Sequence, residues 1–341
     1  MALTVTVTGA TGFIATELVK QLLEKGYDVR GTVRSLKKEE KVAHLKALDA
    51  ALPGNLTLHE ADLLEEGSFD EVVKGADYVF HTASPFFMGD SPDAQKDLVD
   101  PAVKGTTTVL RSVAKSKGSV KRVVLTSSVA AIMKMKKGPL KGKVFTDQDW
   151  NDENTVSDGP YMYSKTEAEK AARALAEKEG FEIATIHPAF VMGPVIAARA
   201  DATSIVTMKG FIEHGEYSFF PWHCDVRDIA RAHILAAEVP LATGRYIVAQ
   251  PPVPTSYLSK VLSERFPQFK FPAGKEDDSS ETSYDTSKVE KELGLRMHPL
   301  KETYVDMATT LIQRGIAKPV AKLLPRPAGS VGLECPTKEL G

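Results

Sequence analysis

Along the first 130 residues, short apolar runs alternate with segments whose apolar side chains recur every three or four positions. Leu3-Thr4-Val5-Thr6-Val7 has a strand pattern and runs directly into the turn Thr8-Gly9-Ala10-Thr11-Gly12. Phe13, Ile14, Leu18, Val19, Leu22 and Leu23 follow at helical spacing until Lys25-Gly26, a cation and a C′ glycine that end the helix. The rhythm continues with predicted strands at residues 27–34, 56–60, 78–82 and 122–126, and with helices near 69–73 and over roughly 93–115. A long polar-faced helix is predicted over about 161–176, then strands at 182–186 and 244–248. Strands alternating with helices at this spacing predict an α/β fold, a Rossmann-type doubly wound parallel sheet that binds ligands at its strand C-termini. From Gly193 to Trp222 the rhythm becomes irregular, which predicts a smaller, mainly C-terminal substrate lobe. The expected division is 1–188 plus 223–250 for dinucleotide binding, 189–222 and 251–318 for the substrate lobe, and 319–341 as a surface tail. Asp225-Val226-Arg227-Asp228 reads as a helix start capped by Asp225.

The first turn has the residues a dinucleotide needs. Gly9 permits the tight bend, Gly12 lets backbone amides approach a pyrophosphate, and Ala15 still allows close helix–strand packing where a third glycine is usual. The end of the second strand selects the cofactor. A carboxylate there would bind a ribose 2′-hydroxyl, but this chain has Val33 and Arg34, with Lys37, Lys38 and Lys41 behind. A cationic fork suits a 2′-phosphate, each charge-assisted hydrogen bond contributing roughly 1.5–3 kcal/mol, so the expected cofactor is NADP(H). Lys37 and Lys38 also fit the solvated start of the next helix. Asp62, after the third strand, is placed to meet an adenine amino group. Ala83-Ser84-Pro85 offers small residues beside which a dinucleotide can pass.

Composition narrows the function classes. The 341 residues are 43% hydrophobic and 26% charged, with a formal net charge of −2. That balance gives no electrostatic case for nucleic acid or an anionic membrane. Opposite charges follow one another between Lys134 and Glu153, which argues for a solvated excursion. Cys224 and Cys335 are too few and too far apart for a zinc site or a disulfide framework, and the ligands of Trp222-His223-Cys224-Asp225 are too crowded for a metal. No metal, nucleic acid or membrane partner is expected. A reduced, cytoplasmic protein acting on a small molecule is, as a monomer or a homodimer.

Tyr161 and Lys165 stand four apart and share a helix face, where an ammonium would favour the phenolate. Ser128, delivered by the end of a neighbouring strand, is placed to donate a hydrogen bond to the same carbonyl oxygen. Together they predict hydride transfer from NADPH to a carbonyl carbon, with Tyr161 as the proton donor. A second Tyr-x-x-x-Lys, Tyr284 and Lys288, has no serine-ended strand beside it. His187, before a proline at a strand end, is expected to be structural. Phe86-Phe87-Met88, at a strand's C-terminal edge, forms either a substrate wall or a buried loop anchor.

These stretches, with Thr32-Val33-Arg34, Phe80 to Pro85, Thr126-Ser127-Ser128, Tyr161 to Lys165, His187-Pro188, Gly244-Arg245-Tyr246 and Ser287 to Gly294, resemble the extended short-chain dehydrogenase/reductases. Within them, the nearest group is the dihydroflavonol, cinnamoyl-CoA and aldehyde reductases. The resemblance implies a Ser128, Tyr161 and Lys165 triad, with Lys165 also on the nicotinamide ribose. It implies Thr8, Gly9, Thr11, Gly12, Phe13 and Ile14 at the glycine turn, Arg34 and Lys41 on the 2′-phosphate, and Asp62 and Leu63 flanking adenine. Thr82, Ala83, Thr126, Pro188, Ala189 and Phe190 would line the nicotinamide end, with Ser84 also against the cofactor. Dihydroflavonol reductases have Asn or Asp where this chain has Met133. Cinnamoyl-CoA reductases grip CoA phosphates with a His-x-x-Lys pair and an arginine; the aligned stretch reads Val206-Thr207-Met208-Lys209, with Arg245 retained. An apolar pocket of Phe86, Phe87, Met88, Met133, Phe190, Met192 and Trp222 would suit a small hydrophobic aldehyde or ketone. The alternatives are a dihydroflavonol-type or cinnamoyl-CoA-type reductase, or a non-catalytic NADP sensor, against which the intact triad argues.

Overall fold

The structure, a computed structural model, describes residues 2–84, 92–116, 118–134, 142–197, 200–214 and 220–321. Its strands are β1 (Thr4–Val7), β2 (Asp28–Val33), β3 (Asn55–Glu60), β4 (Tyr78–His81), β5 (Arg122–Thr126), β6 (Val144–Phe145), β7 (Ile183–Pro188), β8 (Phe190–Met192), β9 (His223–Asp225) and β10 (Gly244–Val248). The helices between and after them are α1 (Phe13–Glu24), α2 (Glu39–Ala51), α3 (Asp70–Val73), α4 (Asp100–Lys115), α5 (Pro160–Glu179), α6 (Thr203–His214), α7 (Val226–Glu238), α8 (Thr255–Arg265), α9 (Ser287–Leu293) and α10 (Leu300–Gln313). Seven strands form one parallel sheet in the order β10-β7-β5-β4-β1-β2-β3. The order reverses between β1 and β4, and that switch point is where a doubly wound sheet opens a crevice for a ligand.

Local chemistry explains the elements around that point. In β1, Val5 and Val7 are fully buried, as parallel strands covered on both faces require. Leu18, Val19, Leu22 and Leu23 of α1 are fully buried beside them. The helix ends as its sequence predicts, with Gly26 at φ +78° and its amide donating to the Leu23 carbonyl at 3.0 Å. α5 begins at Gly159-Pro160 and ends at Gly180, φ +73°. The predicted helix over 93–115 opens with a π-helical turn, Gln95–Val99, before α4.

Residues 193–222, irregular by pattern, contain α6, whose Ile205, Met208, Phe211 and Ile212 are buried. They join Leu258, Leu262, Tyr304, Met307 and Leu311 in a second apolar cluster, distinct from the one under the sheet. β8 and β9 pair in parallel beside that cluster. Asp225 caps α7, accepting from the Arg227 amide at 2.8 Å. Among the described residues no helix is long and apolar enough to cross a membrane. Phe86-Phe87-Met88 and residues 322–341 of the expected tail lie outside the described residues.

Candidate active site

The C-terminal ends of β1, β4 and β5 lie side by side, and their polar side chains bind the edge together. Thr82 Oγ1 donates to the Thr8 carbonyl at 2.5 Å, and the Ala83 amide donates to Thr8 Oγ1 at 3.0 Å. Thr8 Oγ1 also meets His81 Nδ1 at 2.8 Å, and burial lowers that imidazole to about 3. Thr8 is fully buried. Expected against the cofactor, its side chain instead joins two strands.

Gly9 has φ +66°, and a Cβ there would meet the Cβ of Ala83 at 3.0 Å, so the turn closes on β4 with no room for a side chain. Gly12 precedes α1 in an extended conformation without a side-chain cap, leaving the helix's first-turn amides to an outside acceptor. Beside this turn lies a cavity of about 660 Å³, lined by Thr11, Val33, Arg34, Ser35, Lys38, Glu40, Lys41, Val42, Ala200 and Asp201. Three cations face two carboxylates there, so the cavity carries a net positive charge, and the sheet-end position of Val33-Arg34 offers no carboxylate to a ribose. The amides, the side-chain-free turn and these cations fit a dinucleotide with an extra phosphate. Lys38, which sequence reasoning left to the start of the helix, lines the cavity, and so do Ala200 and Asp201 from the other lobe. Asp201 gave no local signal, because only the tertiary fold brings it to the cavity that Arg34 lines.

Asp62 stands exposed after β3, with one carboxylate oxygen accepting from the Leu64 amide at 2.8 Å. Leu63 packs partly against the apolar cluster under α4, and Ile14 against the sheet core. Phe13 reaches the second cluster and so ties the start of α1 to the smaller lobe. Pro188 and Ala189 are buried at the end of β7, whereas Phe190 is half-buried, its ring stacked on Phe220 with centroids 5.3 Å apart.

Alternation along β5 sends successive side chains to opposite faces. The Thr126 hydroxyl meets His233 Nε2 of α7 at 2.7 Å, while Ser127 Oγ reaches Glu169 of α5 at 2.7 Å. His233 Nδ1 faces the Ile229 carbonyl at 2.7 Å and therefore carries the proton, which leaves Nε2 to accept from Thr126. Ser128 follows, held from both faces. It caps a short 3₁₀ turn, Val129–Ala131, and Oγ accepts from the Ala130 amide at 3.1 Å.

Ser128 is also hydrogen-bonded to Tyr161. Lys165 Nζ donates to Ser84 Oγ at 3.0 Å and lies 5.8 Å from the Tyr161 ring centroid. Lys165 was expected to favour the Tyr161 phenolate, and burial acts in the opposite direction. Burial raises the phenol above its ordinary range, and the Ser128 hydrogen bond opposes that only in part. Burial also lowers Lys165 to about 8. A phenol that is neutral near pH 7 is the form that can donate a proton.

Three residues expected in an apolar substrate wall lie elsewhere. Met192 is fully buried in the second cluster. Trp222 is 6% exposed, with Nε1 donating to the Thr282 carbonyl at 2.7 Å. Met133, also 6% exposed, accepts a hydrogen bond on Sδ from the Tyr284 hydroxyl at 3.2 Å. The second Tyr-x-x-x-Lys is split by the fold: Tyr284 turns onto Met133, and Lys288 Nζ pairs with Asp147 at 3.0 Å. Arg245, the residue retained for CoA phosphates, is 5% exposed and held by Glu169 and backbone carbonyls. Lys209 pairs with Glu213. Of the crowded residues 222–225, His223 Nδ1 meets the Tyr304 hydroxyl at 2.8 Å, and Asp225 binds Arg227.

A doubly wound parallel sheet, a glycine turn at its switch point and a Ser-Tyr-Lys set on the same edge define a dinucleotide-dependent oxidoreductase. Residues 5–249 match the NAD dependent epimerase/dehydratase family, and the chain belongs to it, within the extended short-chain dehydrogenase/reductases. It is similar to cinnamoyl-CoA reductase CAD2 of Medicago truncatula, 40% identical over 92% of this chain and 97% of that protein. It is also similar to tetraketide alpha-pyrone reductase 2 of Arabidopsis thaliana, 37% identical over 91% of this chain and 98% of that one. Among solved structures, yeast methylglyoxal/isovaleraldehyde reductase Gre2 complexed with NADPH covers 92% of this chain and 99% of its own, with TM-score 0.80 and 31% identity. The chain is an NAD(P)-dependent oxidoreductase.

Proposed function

We propose that the chain reduces a small hydrophobic aldehyde or ketone with NADPH, using Tyr161 as proton donor, Ser128 as a second hydrogen-bond donor and Lys165 as the cation beside them. The observation that carries this reading is the Ser128–Tyr161 hydrogen bond at the strand edge next to the glycine turn. Bound across that edge, the reduced cofactor supplies hydride.

Tyr161, neutral near pH 7, gives its phenolic proton to the oxygen that becomes the alcohol. Ser128 donates to the same oxygen as negative charge grows on it, an interaction worth about 2.7–4 kcal/mol in the transition state. Lys165, with Ser84 orienting its ammonium, adds positive charge behind Tyr161 and faces the side where a nicotinamide ribose would lie. Arg34, Lys38 and Lys41 hold the 2′-phosphate. Residues 189–222 and 251–318 form the lobe that closes the substrate side, with the Phe190–Phe220 stack as its aromatic face.

Reductases of CoA thioesters are among the relatives, yet Arg245 is buried on Glu169 and is not free to grip CoA phosphates. The likeness to an isovaleraldehyde reductase supports the smaller substrate. NADPH oxidation against a panel of phenylacetaldehyde-like and branched aliphatic aldehydes, dihydroflavonols and CoA thioesters tests the reading. The small carbonyls are expected to turn over at least as fast as the others. Faster turnover of a dihydroflavonol or thioester overturns the substrate class, and no turnover beside tight NADPH binding favours a sensor.

A further inference from the structure

Two turns beyond Tyr161 on α5, and one beyond Lys165, stands a carboxylate that the reaction itself does not require. Glu169 is 1% exposed. At 3.6 residues per turn, each fourth position advances only about 40°, so all three side chains leave the helix on one broad face.

Both Glu169 oxygens are engaged. Oε2 accepts from Ser127 Oγ at 2.7 Å and meets His187 Nε2 at 2.7 Å. Oε1 accepts from Arg245 Nε at 2.8 Å, Arg173 Nε at 3.1 Å and Thr185 Oγ1 at 3.3 Å. Apart from Arg173, on α5 itself, these partners come from three adjacent strands: Ser127 precedes Ser128 after β5, Thr185 and His187 lie in β7, and Arg245 lies near the start of β10. Arg245 extends the set, donating to the Asp147, Asp149 and Ala131 carbonyls, the last in the turn that Ser128 caps. Burial opposes charge on Glu169, but the His187 hydrogen bond and the Arg245 and Arg173 cations outweigh it and hold the carboxyl well below the usual range. His187 is kept neutral by its own burial, and since a carboxylate only accepts, Nε2 carries its proton.

Apolar packing between a helix and a sheet tolerates small slips along the helix axis, because contact area changes little. Directional bonds to one carboxylate do not, since a shift of about 1 Å breaks several at once.

We propose that Glu169 is a positioning residue for carbonyl reduction: it locks α5, with Tyr161 and Lys165, in register with β5, β7 and β10, and so with the strand ends that present Ser128 and Pro188. This rests on the reductase reading above. An ion in this place is a costly way to stabilise a fold, and apolar residues of similar volume often do as well or better. Registry of reacting groups is what it supplies here.

The test compares full-length wild type, Glu169→Asp and Ser127→Ala by steady-state kinetics with NADPH and the best small aldehyde. NADPH titration, thermal denaturation and the isotope effect with 4-deuterated NADPH complete it. Glu169→Asp keeps the charge and shortens the reach. It is expected to bind NADPH and to show a carbonyl KM within about threefold of wild type, while kcat falls roughly 10- to 100-fold, the scale of a 1 Å misplacement. The isotope effect should rise as the chemical step becomes limiting. Ser127→Ala removes one arm next to Ser128 and should lower kcat roughly threefold to tenfold with the same KM pattern. Wild-type kcat per NADPH-binding site in either variant, whatever the melting temperature, overturns the proposal. If Glu169→Asp does not fold, Ser127→Ala decides alone. No carbonyl turnover by wild type overturns the reductase reading and this one together, whereas an active wild type with equally active variants overturns only this one.

Discussion

Two clusters diverge within five residues of Ser128. At the strand edge, Ser128, Tyr161 and Lys165 come together half-buried, Ser128 hydrogen-bonded to Tyr161 and Lys165 donating to Ser84. Five residues on, buried Met133 and Trp222 meet the half-buried Tyr284: Tyr284 donates to Met133 Sδ, Trp222 donates to Thr282, and the Trp222 and Tyr284 rings meet edge-to-face at 5.7 Å. Both contain a tyrosine followed four residues later by a lysine. Burial raises both phenols, and for Tyr284 nothing opposes it. The two tyrosines therefore differ not in spacing but in partner: the Ser128 hydroxyl at a strand end in one case, the buried Met133 thioether in the other.

The sharpest way to break this comparison is to remove the two phenolic hydroxyls separately. Tyr161→Phe should lower kcat by about 10²–10⁴-fold while NADPH titrates normally. Near-wild-type turnover would place the proton donor elsewhere. Ser128→Ala should lower kcat by about 10²–10³-fold with little change in NADPH affinity, measured in the same assay. On the cofactor side, Arg34→Ala should weaken NADPH binding roughly 10- to 100-fold, the equivalent of one charge-assisted bond, and leave NADH binding almost unchanged. Equal losses for both cofactors would show that Arg34 does not read the 2′-phosphate.

The pH profile gives a subtler signal. Burial pushes Lys165 down to about 8, so its ammonium is present below that value and lost above it. kcat/KM for NADPH, which reports the free enzyme, should fall as pH rises through that range, and a flat profile to pH 10 would remove Lys165 from the mechanism. The smallest effect belongs to the inner cluster. Tyr284→Phe should cost about 0.5–1.5 kcal/mol of stability in denaturant titrations and leave kcat unchanged. A large loss of activity would return Tyr284 to the site.

Much of the sheet was legible because parallel strands and their crossover helices impose local periods: the apolar alternation around Val5 and Val7 and the helical spacing from Phe13 to Leu23 need no tertiary information. Gly9 was legible for a similar reason, since a positive φ beside an approaching strand restricts the residue type. α6 was harder to read. Its stripe of Ile205, Met208, Phe211 and Ile212 follows an irregular stretch and faces α8 and α10 across a gap of dozens of residues. The apolar wall assigned to Met133, Met192 and Trp222 failed because a hydrophobic side chain near a strand end serves core and pocket equally well.

The sequence by itself determined the α/β order, the glycine turn, the cationic end of β2 and the identities of Ser128, Tyr161 and Lys165, because each depends on neighbours a few residues away. Only the tertiary structure decided that Tyr284 donates to Met133, that Arg245 is a buried partner of Glu169, and that Asp201 reaches the cavity of Arg34. Those outcomes depend on burial and on contacts between segments far apart in the chain. A residue's type constrains such contacts, but it does not specify which partner it finds.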